Sequence, residues 1–194
     1  MEILKLVNDS AYVHCKQVAR ISELLAIKMG YTAPEVSDIA QAAELHDIGK
    51  SGIPPEILNK PGALSDDEYE IVKTHAIAGS RQIEEVINSL SIAALVAKEH
   101  HERIDGKSAY LGLSGDDIHP YSKLIAPADV VDALLSKRCY KAQWSIQDVC
   151  GYLKEQSGRM FDAEIVAALL SLLPDILRLY DCAGHGKGAA ICRA

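Results

Sequence analysis

Apolar residues recur with the period of an α-helix along most of the chain. His14, Val18, Ile21 and Leu25 follow one another at intervals of three or four positions, which predicts one face of a helix. Gly30 comes soon after them, at the kind of position where helices commonly end. No stretch keeps the alternating apolar and polar pattern of a half-buried strand for long. The hydrophobic pattern therefore predicts an all-α fold.

Two helix starts show the pattern of a capping box, in which a Ser or Thr is followed three positions later by a Glu. Thr32 and Glu35 make one such pair, and Ser65 and Glu68 make the other. The helix that begins after Thr32 is predicted to continue into the sequence ELHDIGK and to break at Gly49. That short sequence puts a histidine, an aspartate and a lysine at the end of an apolar helix.

The second half of the chain continues the helical pattern around one irregular segment. Residues 89–101, SLSIAALVAKEHH, predict a strongly apolar helix that ends in two histidines, and residues 102–121 predict a glycine-containing loop. Pro127 requires that the next helix either starts close to it or is kinked there. Three further helices are predicted, over about residues 123–136, 145–156 and 162–181.

Size and composition suit one globular domain, which we expect over residues 1–181 with a flexible tail over 182–194. The 194 residues are 48% apolar and 24% charged. The formal net charge of −7 offers no basic surface for a long nucleic acid or an anionic membrane. With no secretory leader and no apolar run long enough for a bilayer, we expect a cytoplasmic location and no membrane partner.

Seven polar residues lie on apolar helix faces or at helix ends, where an unpaired buried charge would be costly. Each histidine, taken singly, also fits a core or capping role in which a backbone carbonyl satisfies it. Five of the seven histidines in the chain share this placement, however, and a metal site would use the imidazoles while compensating the carboxylates. The candidate ligands are His14, His46, Asp47, His75, His100, His101 and Asp129.

The types of these residues constrain the metal. Five imidazoles and two carboxylates exceed what one four-coordinate zinc ion needs, but they suit two octahedral ions, with Asp47 as the natural bridge. We expect two divalent or mixed-valence transition metal ions, iron first and manganese as the alternative. Two such ions, roughly 3.5 to 4 Å apart, would hold a bridging hydroxide and bind a phosphate group, as in phosphoester hydrolysis.

A more specific signal comes from motifs that follow one another in order along residues 10 to 172. With them the chain resembles the HD-GYP family, a branch of the HD-domain metal-dependent phosphohydrolases. The resemblance implies a helical bundle around a bimetallic or trimetallic centre that hydrolyses cyclic di-GMP to the linear dinucleotide and, in some members, to GMP. The motifs are HDIGKSGIP, ILNKPGALSDDEYEIVKTHAIAGS, HHERIDG, PADVVDALLSKRCYKAQWS and EQSGRMFDAEIVAALL.

The resemblance also implies roles for individual residues. It carries the role of metal ligand onto the same seven residues and the catalytic positions onto Asp47 and Lys50. Lys50 would contact a phosphate oxygen and offset negative charge in the transition state, although it could also be a cation favoured at a helix C-terminus. Arg138 is a candidate to bind a phosphate, and Lys141 is a further candidate for the substrate.

The chain departs from the family pattern at three places. Ser10 stands where members with a third metal have a glutamate, so we expect two metals. The Gly-Tyr-Pro positions are occupied by Ser108, Ala109 and Tyr110, which displaces by one position the tyrosine that helps bind the dinucleotide. Ala142 replaces the final lysine of the motif that follows the last ligand. The metal ligands are therefore complete, whereas the substrate contacts are altered.

Two interpretations of different kinds remain open. The first is a phosphodiesterase of weak activity, acting on cyclic di-GMP or a related cyclic dinucleotide through the bridging hydroxide. The second is a degenerate HD-GYP domain that keeps its metals but acts as a nucleotide sensor or a protein-interaction module, with the loop 102–121 contacting a protein partner. The complete ligand set favours the first, and the altered loop favours the second. Since family members often follow a sensory or receiver domain, a regulatory domain in cis or in trans is a further expected partner.

Overall fold

The computed structural model of the protein describes residues 9–87, 91–136 and 143–181, with side chains over 11–86, 91–136 and 143–180. Within these ranges the chain is helical and contains no strand, so the all-α prediction is confirmed. None of the described helices combines the length and the apolar character needed to cross a bilayer. Outside the described residues or side chains lie Ser10, Arg138, Lys141 and the predicted tail at 182–194.

The described part of the chain forms eight α-helices and two short 3-10 turns. The 3-10 turns are Ile48–Gly52 and Gly115–Asp117. The helices are α1 (Asp9–Lys28), α2 (Ala33–Leu45), α3 (Pro55–Leu58), α4 (Asp66–Ile87), α5 (Ile92–Glu99), α6 (Pro120–Leu135), α7 (Ile146–Gln156) and α8 (Ala163–Asp181).

Both predicted capping boxes are confirmed. The backbone N–H of Thr32 donates to Glu35 Oε2 at 2.8 Å, and α2 begins at the next residue. The backbone N–H of Ser65 donates to Glu68 Oε2 at 2.7 Å, while the N–H of Glu68 donates to Ser65 Oγ at 3.2 Å. These local hydrogen bonds satisfy N–H groups that a helix start leaves free.

Two helix ends differ from the prediction, and a histidine directly follows each of them. Helix α2 ends at Leu45, before the predicted break at Gly49, and α5 ends at Glu99, so that neither His46 nor the HH pair continues a helix. The rings of His46 and His100 bind carbonyl oxygens three residues earlier in their own helices. These carbonyls are among those that a helix end leaves unpaired.

The start of α6 also differs from the prediction. The helix predicted from about residue 123 begins at Pro120 and contains Pro127 in its interior, so of the two alternatives for Pro127 a helix start there is wrong. The buried carboxylate of Glu99 holds the first turn of α6, since its Oε2 accepts hydrogen bonds from the backbone N–H of His119 at 2.9 Å and from Ser122 Oγ at 3.0 Å. This contact comes from a distant part of the chain, so periodicity alone does not reveal it.

Helix α1 lies at the centre of the core, against α2, α6 and α8. Its residues Val18, Ile21 and Leu25 are fully buried among large apolar side chains of the other helices. Burying each large aliphatic side chain stabilises the fold by about 1.5–3 kcal/mol. The same packing sets the spacing between α1 and α6, and therefore between His14 and Asp129.

The first 3-10 turn approaches α4 through a contact between two glycines. A Cβ atom at Gly49 would lie 2.0 Å from the carbonyl oxygen of His75 and 2.5 Å from the backbone nitrogen of Gly79. Only a residue without a side chain fits such a backbone contact. The contact holds Asp47, which directly precedes the turn, beside His75 of α4.

Candidate metal centre

The side chain of Asp47 is buried at the meeting point of four histidines from separate segments. Its Oδ1 lies 3.3 Å from His75 Nε2 and 3.7 Å from His100 Nε2. Its Oδ2 lies 3.4 Å from His46 Nε2 and 3.9 Å from His14 Nε2. Each carboxylate oxygen therefore faces a different pair of histidines, as a carboxylate that bridges two ions requires.

The remaining two candidate ligands lie on either side of this carboxylate. The Nε2 atom of His101 lies 3.2 Å from His75 Nε2, and Asp129 Oδ1 lies 3.0 Å from His14 Nε2. The seven predicted residues are therefore brought together, in two sets of three around Asp47. Within each set the ligand atoms lie within 4.8 Å of one another. One set is His75, His100 and His101, and the other is His14, His46 and Asp129.

Three of the histidines are oriented in the same way by the backbone of their own helices. The Nδ1 atoms of His46, His75 and His100 lie 2.6, 2.6 and 2.9 Å from carbonyl oxygens three residues earlier. Because a carbonyl oxygen only accepts, Nδ1 must carry the hydrogen, and the neutral ring keeps its lone pair on Nε2. In each ring it is Nε2 that points towards Asp47, so the metal-binding atom is already exposed to the centre.

Two buried polar atoms at this centre have no hydrogen-bond partner, His46 Nε2 and Asp47 Oδ1. Leaving such an atom unpaired in the interior costs about 1–3 kcal/mol, and more for a charged group. A metal ion would accept an electron pair from each of them. The donors present therefore fit bound metal ions. Metal binding would also explain why these two atoms have no hydrogen-bond partner.

The buried thiol of Cys15 lies beside this pair, and the sequence analysis did not include it. Its Sγ lies within 4.8 Å of a ligand atom of His46 and of Asp47. Cys15 directly follows His14 on α1, so the helix brings a thiol as well as an imidazole towards the centre. The only sequence signal is this adjacency to a predicted ligand.

The histidines on the α4 and α5 side are held in their neutral form. Burial lowers the pKa of His101 to about 4 and also lowers the pKa of His75. Burial and the neighbouring His101 hold the pKa of His100 well below its ordinary value. Since the neutral imidazole is the form that binds a metal, these three side chains need not lose a proton at neutral pH.

The other side of the centre is dominated by carboxylates. Burial lowers the pKa of His14, but hydrogen bonds to Asp129 and Asp132 outweigh it and raise the pKa to about 9. Burial opposes ionisation of Asp47, yet the charge of Lys50 holds its pKa well below its usual range. This side therefore combines ionised carboxylates with a protonated histidine. A metal cation bound here would take the place of the extra proton on His14.

Asp132, which was not among the predicted residues, contacts a candidate ligand. Its Oδ2 lies 2.5 Å from His14 Nδ1, on the opposite side of the ring from Asp129. Its Oδ1 accepts hydrogen bonds from Tyr180 Oη at 2.6 Å and from Ser136 Oγ at 3.2 Å. A carboxylate behind a ligand histidine fixes its tautomer and raises its basicity. The available signal was the spacing of three from Asp129, which puts both aspartates on one face of α6.

The structure places two of the predicted substrate-contact residues beside the centre. The Lys50 ammonium donates to Asp47 Oδ2. The ring of Tyr110 lies 4.5 Å from the ring of His101 between centroids, at 31° between the planes, so the displaced tyrosine still reaches the centre. Arg138 and Lys141 fall outside the described residues, so their predicted contacts stay predictions.

The altered loop is organised by Glu102, a buried carboxylate that the sequence analysis also missed. Its Oε1 accepts hydrogen bonds from the backbone N–H of Leu111 at 2.8 Å and from Ser108 Oγ at 3.1 Å. Its Oε2 accepts from the N–H of Leu113 at 2.8 Å. Ser108, which replaces the family glycine, therefore helps to hold the loop that carries Tyr110.

Known proteins are similar to this chain in sequence. The family model described as an HD domain matches residues 1–165. The cyclic di-GMP phosphodiesterase response regulator RpfG of Xanthomonas campestris is 40% identical over 156 residues, which make up 80% of this chain and 41% of that protein. The 3'3'-cGAMP-specific phosphodiesterase 2 of Vibrio cholerae is 38% identical over 162 residues, or 81% of this chain and 30% of that protein. The chain thus spans less than half the length of these two relatives.

A solved structure supports the fold. Bd1817, a HDG"Y"P protein from Bdellovibrio bacteriovorus, matches with a TM-score of 0.70 at 22% identity, over 87% of this chain and 52% of that chain. The helical HD-domain architecture is therefore confirmed. Divalent metal binding, which an HD domain implies, agrees with the donors gathered around Asp47. The chain belongs to the HD-domain family, and its predicted resemblance to the HD-GYP proteins is confirmed.

Proposed function

We propose that this chain is a metal-dependent phosphodiesterase domain that hydrolyses cyclic di-GMP, or a related cyclic dinucleotide, to the linear dinucleotide or GMP. One observation carries the proposal, namely the buried Asp47 carboxylate between two sets of three ligand atoms. The relatives named for activity on cyclic di-GMP and on 3'3'-cGAMP support this class of substrate. The metal ligands by themselves do not select a cyclic dinucleotide over other phosphoesters. The substrate class is therefore proposed from the relatives.

In this proposal Asp47 and the candidate ligands on its two sides would hold two ions of iron, or alternatively of manganese. A mixture of imidazole and carboxylate donors suits these borderline ions. When bound, such a pair lowers the pKa of water and neutralises charge on a phosphate group. The proposed ligands are His14, His46, Asp129 and Asp47 for one ion, and His75, His100, His101 and Asp47 for the other.

The residues of the chain itself prepare this site for a phosphodiester. The backbone carbonyls that bind Nδ1 of three histidines keep Nε2 available, and Asp132 does the same for His14 from behind. Burial would lower the pKa of Lys50, but Asp47 and Asp129 raise it, so the side chain stays an ammonium ion. A fixed positive charge next to Asp47 stabilises the negative charge that develops on a phosphate bound there.

The substrate contacts proposed beyond Lys50 are Tyr110, Arg138 and Lys141. Tyr110 presents its ring beside His101, where it can contact a nucleotide whose phosphate is bound at the centre. Arg138 would hold a phosphate through two parallel hydrogen bonds, which the guanidinium geometry allows.

The test is an assay of purified protein reconstituted without oxygen with Fe(II) or Mn(II) and incubated with cyclic di-GMP. Products are separated by chromatography. Asp47→Ala is the inactive variant, and Asp116→Ala is its matched control, because Asp116 is a fully exposed aspartate on the second 3-10 turn. We expect linear dinucleotide or GMP from the wild type and from Asp116→Ala, and none from Asp47→Ala.

Two results would contradict the proposal. Product from Asp47→Ala at the wild-type rate would mean that the centre around Asp47 is not the catalytic site. No product from a wild-type protein that holds two ions per chain would favour the alternative, a degenerate domain that acts as a nucleotide sensor or a protein-interaction module.

A further inference from the structure

Tyr69, Lys73 and Tyr110 form a cluster beside the centre. The Lys73 ammonium lies 6.0 Å from the centroid of the Tyr69 ring and 5.9 Å from that of Tyr110. These distances are at the limit of a cation–π contact. The Tyr110 ring in turn lies 4.5 Å from the ring of His101, a candidate ligand, with the two planes tilted by 31°. We call these three residues the aromatic cluster.

The aromatic cluster is open on the side of Tyr69 and fixed on the side of the centre. Tyr69 is 44% exposed, so part of its ring is open to solvent. The side chain of Lys73 is only 18% exposed, and its ammonium is held by Glu70 at 2.9 and 3.0 Å. Tyr69 and Lys73 are four residues apart on α4, so they share a helix face. The same helix carries His75 and therefore fixes the cluster relative to the centre.

The chemistry of this cluster matches a purine base. An exposed aromatic ring offers a stacking surface that any base can use. A lysine ammonium beside that ring can donate to the O6 and N7 acceptors of guanine, which is a common pattern of guanine recognition. Adenine carries an amino donor in place of O6, and this donor opposes an ammonium.

We propose that the aromatic cluster is the nucleobase subsite of the phosphodiesterase centre, with Tyr69 stacking on a guanine and Lys73 donating to its O6 and N7. This inference rests on the proposed function, because the base arrives attached to the phosphate that the centre binds. Tyr69 and Lys73 would select guanine over adenine, a choice that the metal-binding residues cannot make.

The proposal is tested by binding, so that it does not depend on turnover. Calorimetric titration of the Mn(II)-loaded protein with GMP, AMP and ribose 5-phosphate compares ligands that share a phosphate and differ in the base. The variants are Tyr69→Ala, Tyr69→Phe and Lys73→Met. Ile71→Ala is the matched control, because Ile71 is 40% exposed on α4 but lies two residues from Tyr69, on a different face. Metal content is measured for each variant.

We expect Tyr69→Ala to weaken GMP binding about tenfold and to leave ribose 5-phosphate binding unchanged, since the loss is that of one stacked base. Tyr69→Phe, which keeps the ring, should bind GMP as the wild type does. Lys73→Met should reduce the preference for GMP over AMP by at least about fivefold. Ile71→Ala should change none of these affinities.

Three results would overturn the subsite. The first is equal weakening of GMP and ribose 5-phosphate binding in Tyr69→Ala, which would mean that the cluster only positions the centre. The second is GMP binding that is unchanged in both Tyr69→Ala and Lys73→Met. The third is a wild-type protein that binds GMP no better than ribose 5-phosphate. Absence of cyclic di-GMP hydrolysis together with the expected binding pattern would instead contradict the proposed function and leave the base subsite standing.

Discussion

The substitution Gly49→Ala tests how the fold holds the centre together. The new Cβ would lie 2.0 Å from the His75 carbonyl oxygen and 2.5 Å from the Gly79 nitrogen, whereas ordinary contact begins near 3.4 Å. Both neighbours are backbone atoms, so neither can rotate away. The 3-10 turn and α4 must therefore move apart by more than about 1 Å, which would also carry His75 away from Asp47.

The cost follows from this geometry. Overpacking of a core typically costs about 1–3 kcal/mol, and a clash between backbone atoms belongs at the upper end of that range. The smaller backbone entropy of alanine in the unfolded chain offsets about 0.4–1 kcal/mol of it. A net loss of about 2 kcal/mol corresponds to a fall in Tm of about 4–8 °C for a chain of this length.

Thermal unfolding of the metal-free protein and the metal content after reconstitution measure the two effects. Gly52→Ala is the matched control, because it lies in the same 3-10 turn and a Cβ there meets no atom within 4 Å. We expect Gly49→Ala to lose both stability and metal, and Gly52→Ala to lose neither. A Gly49→Ala protein with the Tm and metal content of Gly52→Ala would refute the argument from backbone contact.

Two further predictions concern the residues around the ligands. Lys50→Ala should lower kcat on cyclic di-GMP by about 100-fold while two ions remain bound, because one charge that stabilises the transition state is lost; an unchanged kcat would contradict this. Asp132→Asn should weaken metal binding about 10- to 100-fold in a competition assay with a chelator. In the metal-free protein the pKa of His14 is raised from 6.5 to about 9, so its charge stabilises the fold fully below about pH 6.5 and this stabilisation is lost as the pH rises through about 9. The difference in unfolding free energy between wild type and Asp132→Asn should therefore shrink over that range, and a difference that stays constant would count against the role of Asp132.

Helix starts were more predictable than helix ends. The starts at Ala33 and Asp66 depend on residues within four positions, so the local sequence contains the whole signal. The end of α2 brings the ring of His46 against a carbonyl of the helix it follows, a contact that the apolar period does not encode. The start of α6 combines a local signal, Pro120 after the capping side chain of His119, with a hydrogen bond to the Glu99 carboxylate of α5, which no local pattern encodes.

The candidate site shows the same division. The seven predicted residues could be gathered because polar side chains on apolar helix faces stand out from the hydrophobic pattern. Asp132 and Tyr180 could not be paired, because their contact joins positions 48 residues apart along the chain. The position of Tyr110 was likewise hidden, since it depends on how Glu102 folds a loop that has no period of its own.

The hydrogen bonds from Nδ1 of His46, His75 and His100 to their own helices have a consequence for how the protein is supplied with metal. Because the backbone sets these rings, the receptor for the ions is already assembled in the folded apoprotein. Loading therefore differs from that of a zinc finger, whose chain folds only when the ion binds. An ion that is lost leaves behind a folded binding site that the next ion can enter.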